Sequence, residues 1–168
     1  MKKQLYRERG FTLMELMIVM VIMSILAAIV MGNYATSTKR GRDNRRKSDL
    51  KNITTALETY YNDKGAYPTG VSGVINGCST GDTQPCPWGS QFVDSQGTLY
   101  MVELPQDPID TFTYYYVSGG QSYSIYAKLE NTLDTGSGVD QAGYATTNCS
   151  RTTTVPCTYG ISSTNTTP

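Results

Sequence analysis

No histidine occurs among the 168 residues. That removes the commonest general base and the commonest metal ligand, and it weakens the case for an enzyme. No phosphate-binding loop or other catalytic constellation stands in for it. Proline is missing from residue 11 to residue 67, so nothing there forces a helix to break. Charge is nearly missing between Phe11 and Met31, where Glu15 is the one ionisable side chain. Basic residues are scarce after residue 51: Lys64, Lys128 and Arg151 stand against ten acids.

The net charge of zero therefore hides a gradient. Residues 1–10 carry Lys2, Lys3, Arg7 and Arg9 against Glu8, and residues 39–51 carry seven basic side chains against Asp43 and Asp49. The sequence reads as a basic stem joined to an acidic head. The 39–51 cluster has three readings: a solvated face balanced by the acidic head of a neighbouring copy, a contact with anionic lipid headgroups, or a contact with DNA phosphates.

The four cysteines form two pairs of equal spacing, Cys78 with Cys86 and Cys149 with Cys157, in the similar stretches "CSTGDTQPC" and "CSRTTTVPC". Zinc sites use closer spacing. Two small disulfide-closed loops fit better, with cross-pairing between them still open because four cysteines allow three connectivities. Disulfides place this part of the chain in an oxidising compartment.

The run from Phe11 to Met31 is long enough, at about 30 Å as a helix, to span a bilayer. A secretory signal peptide has a shorter apolar region with its cleavage site after it. Here the suggestive break lies before the apolar run, at "RERG|FTLME", so the helix is expected to stay with the mature chain. Flanking charge is ambiguous about orientation; the cysteine pairs place the head outside the cytoplasm. A carboxylate in such a segment costs about 2.5–3.5 kcal/mol and calls for a partner. Cleavage after Gly10 would leave Phe11 as the new N-terminus, and the amino group of a neighbouring copy would then neutralise Glu15. Beyond the apolar run, Leu50, Ile53, Leu57 and Tyr60 recur at helical spacing, with Gly65 placed to cap the helix and Pro68 shortly beyond it.

"RGFTLMELMIVMVIMSILAAI" resembles the N-terminal signature of type IV pilins and type II secretion pseudopilins. The resemblance implies cleavage by a prepilin peptidase after Gly10, methylation of Phe11, and pairing of Glu15 with the N-terminus of an adjacent subunit during assembly. "LKNITTALETYYNDKGAYPT" is similar to the same family at Ala56, Leu57, Tyr60, Asp63, Gly65, Tyr67 and Pro68. One departure is Gly32, which stands where many members carry a helix-kinking proline, although Tyr34 fits.

In the head, residues 66–111 read as loops with short elements, and Trp88 is expected to lie buried beneath the first cysteine loop. Runs 112–117 and 122–129 flank Ser118–Gln121 as a hairpin, with Tyr123, Ile125, Ala127 and Leu129 facing the helix. Tyr114, Tyr115 and Tyr116 read as packing residues with wet hydroxyls. "LPQDP" followed by the Tyr-rich hairpin is similar to major pseudopilin heads. Asp134, Ser137 and Asp140, interleaved with glycine, offer oxygen ligands for calcium, and the resemblance implies a calcium site in a C-terminal loop of this character; an ordinary polar loop is the other reading. Asn148 and Asn165 begin glycosylation sequons.

The expected fold is α+β and pilin-like: a long N-terminal helix, membrane-spanning then amphipathic, packed on a small antiparallel sheet with disulfide-closed loops. The expected divisions are a leader at 1–10, a helix at 11–64 with the span at 11–31, a head at 65–160 and a disordered tail at 161–168. The resemblance implies a non-catalytic structural subunit of a type IV pilus or type II secretion pseudopilus, forming a helical homopolymer. Its partners would be the prepilin peptidase, the inner-membrane assembly platform, minor pilins and, before assembly, the inner membrane itself; the filament would be extracellular or periplasmic. The alternative is a minor or tip subunit whose head loops bind DNA, a surface or a secreted cargo.

Overall fold

The computed structural model describes residues 10–78, 81 and 83–163, without the side chains at 30–33 and 35. The expected leader, apart from Gly10, lies outside the described residues, as do 164–168 with the Asn165 sequon. Among the described residues one helix and eight short strands follow in order: α1 (Leu13–Lys64), β1 (Thr69–Val71), β2 (Val74–Cys78), β3 (Gln84–Cys86), β4 (Phe92–Val93), β5 (Leu99–Met101), β6 (Tyr115–Ser118), β7 (Tyr123–Ala127) and β8 (Tyr159–Ser162). The chain divides into two compact units, Met1–Thr38 and Lys39–Pro168.

The first unit holds the beginning of α1. Its residues are unbranched or γ-branched apolar types with good helix propensity, mixed with Val and Ile. The hydroxyl of Ser24 donates to the carbonyl of Met20 at 2.7 Å, which satisfies it within the helix itself. α1 runs through Gly32 without interruption. Among the described residues, whose apolar side chains in α1 run from Leu13 to Ile29, no helix is long and apolar enough to cross a membrane.

In the second unit α1 is amphipathic. Leu50, Ile53 and Leu57 are fully buried, with Ala56 and Tyr60 nearly so. The helix ends where the sequence predicts. Gly65 takes a left-handed φ of 74° and donates to the Tyr61 carbonyl at 2.8 Å, closing the last turn.

Three small antiparallel sheets face that stripe: β1-β2-β3, β4-β5 and β6-β7-β8. The hairpin pairs Tyr116 with Ile125 and Ser118 with Tyr123. Tyr123, Ile125, Ala127 and Leu129 are all buried, as alternation predicts. The strands are shorter than the apolar runs. Leu129 N–H donates to Thr158 Oγ1 and Glu130 N–H to Asp43, so side chains capture the backbone that would extend β7. Phe112 pairs instead with Ser150.

The tail needs correction. Ile161 and Ser162 belong to β8, which pairs with β7, and Ser163 is buried with its N–H on the Tyr123 carbonyl. A Ser/Thr-rich composition reads as disorder. Pairing with a strand some 35 residues earlier in the chain overrides it.

Aromatic rings fill the core. Tyr60, Phe92 and Tyr100 meet with centroids 5.0–5.4 Å apart, and Tyr67 meets Tyr123 edge-on at 4.7 Å. Such pairs add about 0.5–1.5 kcal/mol beyond area burial. Tyr114 and Tyr116 are buried, and their hydroxyls donate to Asp49 at 2.7 Å and to the Pro68 carbonyl at 2.8 Å. Trp88 is half-buried against Tyr114, and its buried indole N–H has no hydrogen-bond partner among the described residues.

Candidate functional site

The first candidate lies at the start of α1. Gly10 is exposed, with open space around its Cα, and Phe11 is 91% exposed. Thr12 is the N-cap. Its hydroxyl oxygen accepts the Glu15 N–H at 3.2 Å, while Glu15 Oε2 accepts the Thr12 N–H at 2.9 Å and its hydroxyl at 3.0 Å. This reciprocal capping box satisfies two orphan donors of the helix end and puts a negative charge at the positive end of its dipole. The partner expected for Glu15 lies in another subunit; T-x-x-E before an apolar run, the local signal for this motif, supplies Thr12 of its own chain as well. Beyond it, the large apolar side chains from Phe11 to Ile29 are each at least half exposed.

The second candidate is an ion-pair network on the amphipathic part of α1. Arg46 is completely buried. Its guanidinium forks onto Asp107 at 2.7 and 2.8 Å and also reaches Asp43 at 2.8 Å and Glu130 at 2.9 Å. Arg42 grips the two Glu130 oxygens at 2.6 and 2.5 Å. Asp43 also accepts the N–H groups of Glu130 and Asn131. Asp107 belongs to "LPQDP" and Glu130 follows β7, so one arginine ties two separate loops to the helix. Lys47 pairs with Asp134 at 2.6 Å and Lys64 with Asp94 at 2.8 Å.

The basic cluster is thus split, which corrects the sequence expectation. Arg42, Arg46 and Lys47 are matched by acids of their own head, and Lys39, Arg40, Arg45 and Lys51 stay exposed.

These contacts shift the acids. Arg42 first, with help from Arg46 and against burial, holds the Glu130 carboxyl at about 2. Burial opposes ionisation of Asp94, but Lys64 and the N–H groups of Thr98 and Gln96 outweigh it and hold that carboxyl at about 2. Both folded values lie below the unfolded ones, so the stabilisation is complete above about pH 5 and is lost as pH falls toward 2. Each acid contributes on the order of 2 kcal/mol. Burial raises the Asp49 carboxyl, which acts in the opposite direction. Urea midpoints measured from pH 6 to pH 2.5 are expected to fall steadily below pH 4.5; a flat profile would contradict the network.

Both disulfides close within their own pairs, Cys78–Cys86 and Cys149–Cys157, with Cα separations of 5.4 and 5.1 Å. Asn148 is half-buried and its Oδ1 accepts the N–H groups of Ser150 and Val155. Its amide therefore caps the second loop rather than projecting free as a sequon.

The calcium expectation fits this donor set poorly. Asp134 Oδ2 carries Lys47, its Oδ1 accepts the Gly136 N–H at 3.0 Å, and Asp140 Oδ1 accepts the Ala142 N–H at 2.9 Å. Ser137 is exposed, and among the described residues no group of three or more His, Cys, Asp or Glu side chains converges on a cation position.

Residues 5–31 match the prokaryotic N-terminal methylation motif, and residues 33–142 match the model of type II secretion system (T2SS), protein G. A type II secretion system core protein G of Pectobacterium carotovorum subsp. carotovorum is 34% identical over 106 residues, 63% of this chain and 65% of that protein. The protein of the same name from Klebsiella michiganensis is 36% identical over 122 residues, 70% of this chain and 79% of that one. A type IV major pilin protein PilA of Myxococcus xanthus is 43% identical over 61 residues, 36% of this chain and 28% of that one. The chain thus spans just under two thirds of the Pectobacterium relative. No solved structure matches. With the methylation motif at its start and the protein G model covering most of the remainder, the chain belongs to the type II secretion system protein G family.

Proposed function

We propose that the chain is a non-catalytic filament subunit of the type II secretion pseudopilus kind. The observation that carries this is the apolar surface from Phe11 to Ile29, exposed around the whole helix. Burying one such side chain is worth about 1.5–3 kcal/mol, so this surface requires lipid or neighbouring helices around it. In this reading residues 1–10 are a leader, residues 11–31 cross the inner membrane, and the head from residue 65 lies outside the cytoplasm. A prepilin peptidase cuts after Gly10 and methylates Phe11, and an assembly platform extracts the subunit into a periplasmic homopolymer that minor pilins share.

Glu15 then serves twice. Before assembly Thr12 satisfies its carboxylate; in the filament it accepts the new amino terminus of a neighbour. A buried charge with a matched partner is tolerated and one without it is strongly penalised, so the pair fixes the register of side-by-side helices. The likeness to a type IV major pilin supports a pilus as the second reading.

Intact mass and N-terminal sequencing of the protein in the filament fraction sheared from spheroplasts test the proposal. A chain beginning at Phe11, heavier by one methyl group, is expected, with Glu15→Val processed normally yet missing from that fraction. A chain retaining Met1–Gly10 and found only in membranes would overturn it. A single copy at filament ends would favour a minor or tip subunit that binds DNA, a surface or cargo.

A further inference from the structure

We propose that the Asn131–Gln141 segment is a metal-independent clasp, in which the Lys47 ammonium and the Gln141 carboxamide occupy the oxygens a divalent cation would need. The inference stands apart from the filament reading, because it concerns only how the head holds itself together. Three oxygens of this segment that would serve as hard ligands are already engaged by nitrogen donors. Asp134 Oδ2 accepts Lys47 Nζ at 2.6 Å. The carbonyls of Asn131 and Asp134 both accept Gln141 Nε2, at 3.1 and 2.8 Å. Calcium takes six to eight oxygens at about 2.3–2.6 Å, so it would have to evict both donors and tolerate a neighbouring ammonium.

Lys47 is not easily evicted. Its Nζ also lies 5.3 Å from the centre of the Tyr159 ring, at the start of β8. A partly desolvated cation over a tyrosine face gains a further attraction. One ammonium thereby joins α1, the segment and the C-terminal strand. The clasp matters because of what the segment covers. Gly160 N–H donates to the Gly138 carbonyl at 2.8 Å, and Val139 bridges Tyr159. Gly138 has a left-handed φ, and a Cβ there would meet the Gly160 carbonyl oxygen at 2.3 Å. The segment thus lies tight against the outer edge of β8, which is otherwise an open row of backbone donors and acceptors.

The test uses full-length protein in detergent micelles. Titration of wild-type protein with calcium chloride in a calorimeter is expected to show no saturable binding. Thermal midpoints in EDTA and in millimolar calcium are expected to agree. Lys47→Met is expected to speed amide exchange at Gly136 and Gly160 by about tenfold, in EDTA and in calcium alike, while β6–β7 amides stay protected. Gln141→Leu, a surface change that leaves the core intact, should produce the same local loosening more weakly and guards against a Lys47 variant that fails to fold. Saturable calcium binding by the wild type with a raised midpoint would overturn the proposal. So would unchanged exchange at Gly136 and Gly160 in both variants.

Discussion

Replacing Arg46 by alanine is expected to lower the unfolding free energy of the head by about 3–5 kcal/mol, because it strands partner charges in the interior. The loss follows from geometry. Asp107 is buried and takes both arms of the guanidinium fork, while Asp43 and Glu130 share the rest. Arg46→Lys keeps the charge and loses the fork, so it should recover only part of the stability. The double variant Arg46→Met with Asp107→Leu should lose less than the sum of its single changes. An apolar pair leaves no charge behind there, and Asp43 still holds the Glu130 and Asn131 N–H groups. Urea unfolding followed by near-ultraviolet circular dichroism measures the wild type, these three variants and the single changes Arg46→Met and Asp107→Leu. A loss below about 1 kcal/mol for Arg46→Ala would place the network with ordinary surface pairs.

Removing the second disulfide, by Cys149→Ser with Cys157→Ser, is expected to cost about 2–3 kcal/mol in chain entropy alone. The first disulfide closes a loop of equal length, so the entropic part is the same. The difference lies in what surrounds them. Cys149 and Cys157 are both fully buried, and their backbones are held by Val155, Tyr144 and Thr147. β8 begins two residues after Cys157. Opening this loop frees the strand that pairs with β7, so the Cys149–Cys157 variant should lose about 1 kcal/mol more than Cys78→Ser with Cys86→Ser, the order of one hydrogen bond left unmade. Thermal midpoints of the two double variants decide it; equal losses would mean that loop entropy accounts for everything.

The filament reading and the head chemistry meet in α1. Its first part exposes apolar side chains that require company, and its second part spends four of its basic side chains, Arg42, Arg46, Lys47 and Lys64, on acids of its own head. The exposed remainder, Lys39, Arg40, Arg45 and Lys51, is what is left for lipid headgroups or for neighbouring subunits.

Sequence alone determined whatever local rules govern. The end of α1 at Lys64, the Gly65 cap, the inward face of β7 and the long apolar run all follow from periodicities and capping preferences spanning a few residues, whereas α1 begins at Leu13 rather than Phe11 because Thr12 caps it. The N-terminal methylation motif is legible for the same reason, and so is the Thr12–Glu15 box, which T-x-x-E spacing marks. Tertiary structure alone decided which acid each base would meet. Arg46 and Asp107 are 61 residues apart, and Lys47 and Asp134 are 87 apart. No local pattern marks such partners, because every Lys or Arg in a basic cluster looks alike until packing buries some and leaves others in water. The same holds for β8, whose polar composition reads as a tail until β7 supplies the ladder that orders it.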